Sequence, residues 1–330
     1  IDARGTVVHY SPYNGKVLPG YLYTDTGFWD TFRSLFPLLN LMYPSQSREM
    51  QEGLLNTYRE SGFFPEWASP GHRGCMVGNN SASVLTDAYL KGVKVGDAEM
   101  LYEGLVHGTQ AVHPKVSSTG RLGYEYYNRL GYVPYDVKIN ESAARTLEYA
   151  YDDWAISRMA GAMGRDDVAR EYAQRALNYA NVFDGSTCFF RGRGTDGNWS
   201  EPFEEFATGR DYTEATPWHS RFFVPHDVNG LIQLFGSRET FIREMDRLFT
   251  LESDEMQLDV SDVTGLMGQY AHGNEPSHHM AYLYNYVGQP WKTQELTRRL
   301  LHEMYAPTPE GIIGNEDCGQ MSAWYIFSSL

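Results

Sequence analysis

Two carboxylates and two amides gather around glycines in Gly314-Asn315-Glu316-Asp317-Cys318-Gly319-Gln320, directly ahead of the apolar run Met321-Ser322-Ala323-Trp324-Tyr325. Glycine lets the backbone approach a ligand closely. Paired acids at the mouth of a helical scaffold suit general acid/base work or the binding of a hard cation. The structural alternative is a capped helix start, with Asn315 or Asp317 as N-cap and Trp324 in the core.

Three further stretches carry compatible chemistry. In Gly27-Phe28-Trp29-Asp30-Thr31-Phe32-Arg33, Trp29 can stack on a sugar face while Asp30 accepts hydroxyl hydrogen bonds. The plainer role for Asp30 is a first-turn acid facing a helix dipole. In Tyr212-Thr213-Glu214-Ala215-Thr216-Pro217-Trp218-His219, Glu214 stands in a loop beside Trp218. An apolar ring against a carboxyl raises its pKa and makes it a candidate acid; otherwise Glu214 is a solvated loop glutamate. In His272-Gly273-Asn274-Glu275-Pro276-Ser277-His278-His279, Asn274 and Glu275 offer oxygen ligands just before a helix. An oxygen-rich, thiolate-poor set favours calcium over zinc. The adjacent His278 and His279 lack the i, i+4 spacing of a zinc pair. A formal GxGxxG over 192–197 is followed by no helical pattern and lies in no βαβ unit, so no dinucleotide site is expected there.

The elements that must position these residues read mostly as helices. Residues 1–25 are irregular or strand-like. Helical periodicity then runs over Asp25 to Leu41, where Pro44 ends it, and resumes behind Ser45 as a cap until Gly62. The Gly- and Pro-rich segment Phe63 to Gly78 is a loop carrying Trp67, His72, Arg73 and Cys75. Helices follow over Ser81–Lys91 and Asp97–Val112, then an irregular aromatic stretch over residues 114–139. Glu141–Met163 and Asp166–Phe183 form a tight helical hairpin across Gly164. Helical patterns return over Asp227–Phe235, Ser237–Leu251, Ser277–Val287, Pro290–Tyr305 and Asp317–Leu330. A solenoid would show repeats of roughly 34–45 residues, and none is visible. The pattern predicts a toroid of helical hairpins, with acids, amides and aromatics in the loops at one mouth.

Composition narrows the function classes. The 330 residues are 42% hydrophobic, which is globular, and no apolar run approaches the ~20 residues of a membrane span. A formal net charge of −15 disfavours nucleic acid, which calls for clustered Lys and Arg. The aromatic share of 14%, with 24 Tyr and 7 Trp, suits stacking on sugars or bases. Cys75, Cys188 and Cys318 are scattered, so neither a disulfide framework nor a zinc ribbon is expected. Ile1 in place of an initiator Met, and a last residue inside an apolar helical pattern, lead us to expect a piece of a longer protein.

The stretches GFWDTFRSLFPLL, GCMVGNNSASVLTDAYLKG, YTEATPWH with FFVPHDV, HGNEPSHHMAYLYNYVGQPWKTQ and GNEDCGQMSAWYIFSSL resemble glycoside hydrolase family 92, in that family's order from Gly27 to Leu330. The resemblance implies an all-α (α/α)6 toroid forming one catalytic domain over residues 1–330, cut at both ends and lacking the N-terminal β-sandwich of full-length members. It implies a bacterial, periplasmic or extracellular exo-α-mannosidase, inverting and calcium-dependent, that removes terminal α-linked mannose from mannose-containing glycans such as N-glycans, with α-1,2 as the leading linkage. Glu214 then matches the general acid and Asp317 the base that activates water. Trp29, Asp30, Arg73, Trp218 and His272 would grip the substrate, and Asn274, Glu275 and Asn315 would gather the calcium. Three positions depart from the family pattern: Asn315 stands where many members carry an acid, His219 where Gln is common, and Gly273 where α-1,2-specific members often carry Glu. The rival readings are a mannoside-binding module without turnover and another helical-toroid sugar enzyme such as an epimerase.

Overall fold

A computed structural model describes residues 1–252 and 262–330, and its internal contacts divide the chain into two units. One comprises Ile1–Asn128 with Glu148–Leu177, the other Arg129–Leu147 with Asn178–Leu330. The all-α expectation holds: helices dominate, and each of the five sheets among the described residues is a single two-stranded antiparallel pair.

In the first unit, proline sets the helix boundaries. The expected single helix over Asp25–Leu41 is two, Phe28–Thr31 and Leu35–Met42. Pro37 has no N–H to donate to the Arg33 carbonyl, and its ring crowds that carbonyl. Arg33 instead turns its Nε back onto the Trp29 carbonyl at 3.0 Å. Pro44 does more than end a helix. It is the first residue of the next, Pro44–Ser61, with Tyr43 rather than Ser45 before it, because a first-turn proline loses no helical hydrogen bond. Gly62 closes that helix at φ 82°, its N–H on the Tyr58 carbonyl. The stretch expected to be irregular contains the strand Val116–Gly120 and the helix Tyr124–Leu130. Only Tyr127 of that helix is buried, too little apolar pattern for a periodicity argument.

The core of this unit holds charge. Arg121 is fully enclosed. Its Nη1 donates to Asp153 at 2.7 Å, and its Nε and Nη2 donate to the Asn79 Oδ1 at 3.1 and 2.9 Å. The guanidinium packs on Tyr149, 4.8 Å from the ring centre. Asp152 accepts the Asn79 backbone N–H at 2.8 Å, and Glu66 accepts both the N–H and the hydroxyl of Ser81. Burial raises the Glu66 and Asp152 carboxyls well above the carboxylate range. Removing one partner of a buried, hydrogen-bonded charge pair costs about 3–5 kcal/mol. Arg121→Met is therefore expected to destabilise the protein by that amount, read as a lowered urea midpoint at unchanged slope.

The second unit is built on aromatic rings. Phe222 and Phe235 stack at 5.5 Å, and Phe241 meets both edge-on. Beside them the enclosed guanidinium of Arg221 lies 4.0 Å from the centre of the Phe189 ring and 4.5 Å from that of Trp218, bridged to Glu244 at 3.0 Å. Helix Arg238–Thr250, capped by Ser237, supplies Phe241 and Glu244. The run Asp166–Phe183 proves helical only to Arg175, within the first unit; in the second, a 3-10 segment, Asn178–Val182, leads into the strand pair Phe183–Asp184 and Phe189–Phe190. Two more 3-10 segments, Glu275–Ser277 and Met280–Val287, stand where one helix over Ser277–Val287 was expected. The chain then continues through helix Pro290–Glu303 to a single 3-10 turn, Asp317–Gly319, and the last helix, Gln320–Ser329.

Candidate active site

Glu214 occupies a left-handed backbone position, φ 48°. Left-handed geometry is rare outside glycine and is held by its surroundings at a cost of about 1–3 kcal/mol. The surroundings here are specific. Two residues earlier, the buried Tyr212 hydroxyl donates to the Phe190 carbonyl at 2.7 Å. The Glu214 carbonyl accepts the Asn274 side-chain amide at 3.0 Å. Downstream, the short helix Pro217–Ser220 begins at Thr216, whose N–H donates to His219 Nδ1 at 3.1 Å. A Gln or Glu usually serves in that place of a capping box. Burial holds the His219 pKa down at about 4, so its nitrogen stays an acceptor at neutral pH.

The Glu214 carboxyl is pushed up to about 7, chiefly by burial and then by the carboxylates of Asp262, Asp317 and Glu141. A carboxyl poised there carries a proton into neutral pH, as a general acid must. Like charges are thus the second cause, where the apolar ring of Trp218 was expected. Trp218 is enclosed among Phe189, Arg221 and Arg247, so it offers no face for a sugar to stack on.

Of the two neighbouring acids in the glycine-flanked stretch, Glu316 takes the structural role. Its Oε1 accepts the N–H of Ser322 at 3.0 Å and its carbonyl that of Met321, so it caps the last helix in place of Asn315 or Asp317. Asp317 is left to other work. It and Cys318 both have positive φ, 49° and 60°. One carboxylate oxygen of Asp317 and one of Glu275 lie within 4.8 Å of each other. Asn315 is exposed, and its amide donates to Asp262 Oδ1 at 2.9 Å. Glu214, Asn274, Glu275, Asn315 and Asp317 therefore belong to one neighbourhood of the second unit, with Asp262 and Glu141 beside them. These side chains offer carboxylate and amide oxygens, the ligand type a calcium ion takes.

The Glycosyl hydrolase family 92 catalytic domain matches the chain over residues 1–330. This chain belongs to glycoside hydrolase family 92. Two solved structures from Bacteroides thetaiotaomicron are similar to it. A family 92 inverting mannosidase is 46% identical, with a TM-score of 0.91 over 99% of this chain and 45% of its own. A family 92 α-mannosidase in complex with mannoimidazole is 35% identical, also at 0.91, over 98% and 43%. An uncharacterised secreted glycosidase of Arthroderma benhamiae is 27% identical over 84% of this chain and 38% of its own length. The chain thus spans less than half the length of each relative. Its fold class is that of the family 92 catalytic domains, (α/α)6.

Family membership leaves the remaining sugar-gripping candidates to be placed by structure. His272 is enclosed, and both ring nitrogens are engaged: Nδ1 with the Tyr270 hydroxyl and Nε2 with the Tyr305 hydroxyl, each at 2.8 Å. Burial lowers its pKa to about 3. It holds the core together and presents no polar atom to a sugar, contrary to expectation. In the first unit, Thr26–Gly27 pairs with Trp67–Ala68, which sets the Arg73 loop alongside the start of helix Phe28–Thr31. A Cβ on Gly27 would lie 2.2 Å from the Trp67 ring, so only glycine permits this contact. Arg73 is exposed, 5.7 Å over the Trp67 ring. Trp29 and Asp30 are buried, and the Arg33 guanidinium lies 5.2 Å from the centre of a Trp29 ring. Trp29 therefore lacks the open face that stacking was expected to use. The residues that sequence reasoning missed are Asp262 and Glu141, which bias the Glu214 proton. No local motif marks either one.

Proposed function

We propose that this chain is the catalytic part of an exo-acting α-mannosidase that removes terminal α-linked mannose from glycans with inversion. The observation that carries the reading is the gathering of Glu214 and Asp317 in one oxygen-rich neighbourhood: Asp317 is among the charges that push Glu214 up to about 7, and its carboxylate lies within 4.8 Å of Glu275. Glu214 donates its proton to the glycosidic oxygen as the bond to the anomeric carbon breaks. Asp317 takes a proton from a water, whose oxygen forms the new bond at the opposite face of the ring. Inverting enzymes hold the two carboxyls roughly 6.5–9.5 Å apart to admit that water.

Calcium suits the oxygen set of Glu275 and Asn274, with Asn315 as a further donor. Bound there, it would supply electrostatic stabilisation of sugar hydroxyls in a distorted ring. Arg73 and Asp30 are retained as hydrogen-bonding partners of the terminal mannose. Residues 1–330 act in this reading as one catalytic domain, working with an N-terminal β-sandwich of the same polypeptide. A periplasmic or extracellular setting is proposed from the glycan substrate, with a relative described as secreted in its support, and a bacterial source from the family resemblance alone. No described helix is long and apolar enough to cross a membrane.

The α-1,2 linkage is proposed from the family resemblance alone, and Gly273 is the position that departs from it: a Cβ there would come 2.0 Å from Thr264 Oγ1. Linkage is therefore the sharpest point to measure. With full-length protein, mannose release from α-1,2-, α-1,3- and α-1,6-mannobiose is followed by NMR, with calcium and then with chelator. The expected first product is β-mannose, most rapidly from the α-1,2 disaccharide, with release abolished by chelator. Release of α-mannose would mean retention and overturn the roles of Glu214 and Asp317. No release, with calorimetric binding of mannosides, would make this a binding module.

A further inference from the structure

Glu275 and Asp317 each open a three-residue turn closed by one i to i+3 hydrogen bond, the Asp317 turn being left-handed at Asp317, Cys318 and Gly319. The two 3-10 turns are Glu275–Ser277 and Asp317–Gly319. The carbonyl of Glu275 accepts the N–H of His278 at 3.0 Å, and the carbonyl of Asp317 accepts that of Gln320. The side chains of those two closing residues, both buried, meet each other: Gln320 Nε2 donates to His278 Nδ1 at 3.2 Å. His278 Nε2 donates to the His272 carbonyl at 3.1 Å, and Trp324 Nε1 donates to the His278 carbonyl at 2.9 Å. The partners fix the tautomer. An amide nitrogen only donates, so Nδ1 accepts, and the proton sits on Nε2 facing a carbonyl.

A 3-10 turn of three residues has little rigidity of its own, and Asp317 also sits in a strained left-handed conformation. Something outside the turn must hold it in register with Glu275. We propose that His278 and Gln320 are positioning residues, a buried side-chain brace that sets the separation of Glu275 and Asp317 and thereby the placement of the base. The inference rests on the α-mannosidase reading for its kinetic consequence and on geometry alone for its structural one.

Gln320→Met keeps the length and burial of the side chain and removes the donor. In full-length protein it is expected to lower kcat on the cleaved mannobiose about 30- to 100-fold, the range a displacement near 1 Å produces. KM should stay within about threefold and the melting temperature within a few degrees, as expected when neutral side-chain hydrogen bonding is lost. His278→Met should cost a similar factor, and the double variant should be no slower than the slower single one, because both remove the same brace. A kcat for Gln320→Met within threefold of wild type, or additive losses, would overturn the brace. Crystal structures of wild type and Gln320→Met read it without turnover: the Glu275 and Asp317 oxygens are expected to separate in the variant. An unchanged separation overturns the proposal even if activity falls. If Gln320→Met does not fold, His278→Met supplies the comparison. Failure of the wild type to release mannose refutes the mannosidase reading alone, and the crystallographic comparison still decides the brace.

Discussion

Asp317→Asn in the full-length protein is expected to lower kcat by about 10³-fold, within the range for loss of a general base. The loss should be similar whatever leaves the anomeric carbon. The base acts on the incoming water, and water must be deprotonated as it attacks whether the departing group is a sugar or a good leaving group. Comparing a mannobiose with a mannosyl fluoride tests this directly. A variant that recovers near-wild-type rates on the fluoride would show that Asp317 does not activate the nucleophile. Asn is the informative replacement because it keeps size and polarity and tolerates the positive φ at this position.

Glu214→Gln should behave in the opposite way. With a sugar as leaving group, loss of the proton donor is expected to lower kcat/KM by about 10³-fold. With fluoride, which departs without protonation by a strong acid, the loss should shrink to about tenfold or less. The pH profile gives a second test. As the proposed proton donor Glu214 would be active in its protonated form, and its pKa is raised to about 7. Activity on mannobiose should therefore hold below neutral pH and fall as pH rises through about 7. In Glu214→Gln acting on the fluoride, that alkaline limb should disappear. A limb that persists in the variant would assign it to another group.

The two carboxylates proposed to react stand out in the sequence because each lies in a dense local pattern: Glu214 in a short segment ending at a Pro-Trp helix start, Asp317 between glycines ahead of an apolar helix. What acts on them does not. The charges that raise Glu214 come from Asp262, Asp317 and Glu141, residues 48, 103 and 73 positions away in the chain. Proximity in sequence suggested Trp218 instead, but the helical turn from Thr216 carries that ring into the core. His272 shows the same limit. Its position in a polar motif suggested a ligand, yet one of the hydroxyls that engage its ring nitrogens, that of Tyr305, lies 33 residues away. Helix existence was largely readable from apolar period, and boundaries failed where proline intervened, at Pro37 and Pro44. The same apolar spacing fits a 3-10 segment and an α-helix over one or two turns, which is why Met280–Val287 was indistinguishable from an α-helix.

The positive φ values at Glu214 and Asp317 set stability and activity against each other at the same two residues. A glycine would relax the backbone by about 1–2 kcal/mol at Glu214 and by less at Asp317, because Asp itself tolerates this region, and would remove a group proposed to react. A library of this protein sorted only for heat resistance or expression would therefore enrich substitutions that extinguish turnover. Directed evolution toward a robust catalyst would need selection for product release in every round, with stabilising changes sought away from these two turns.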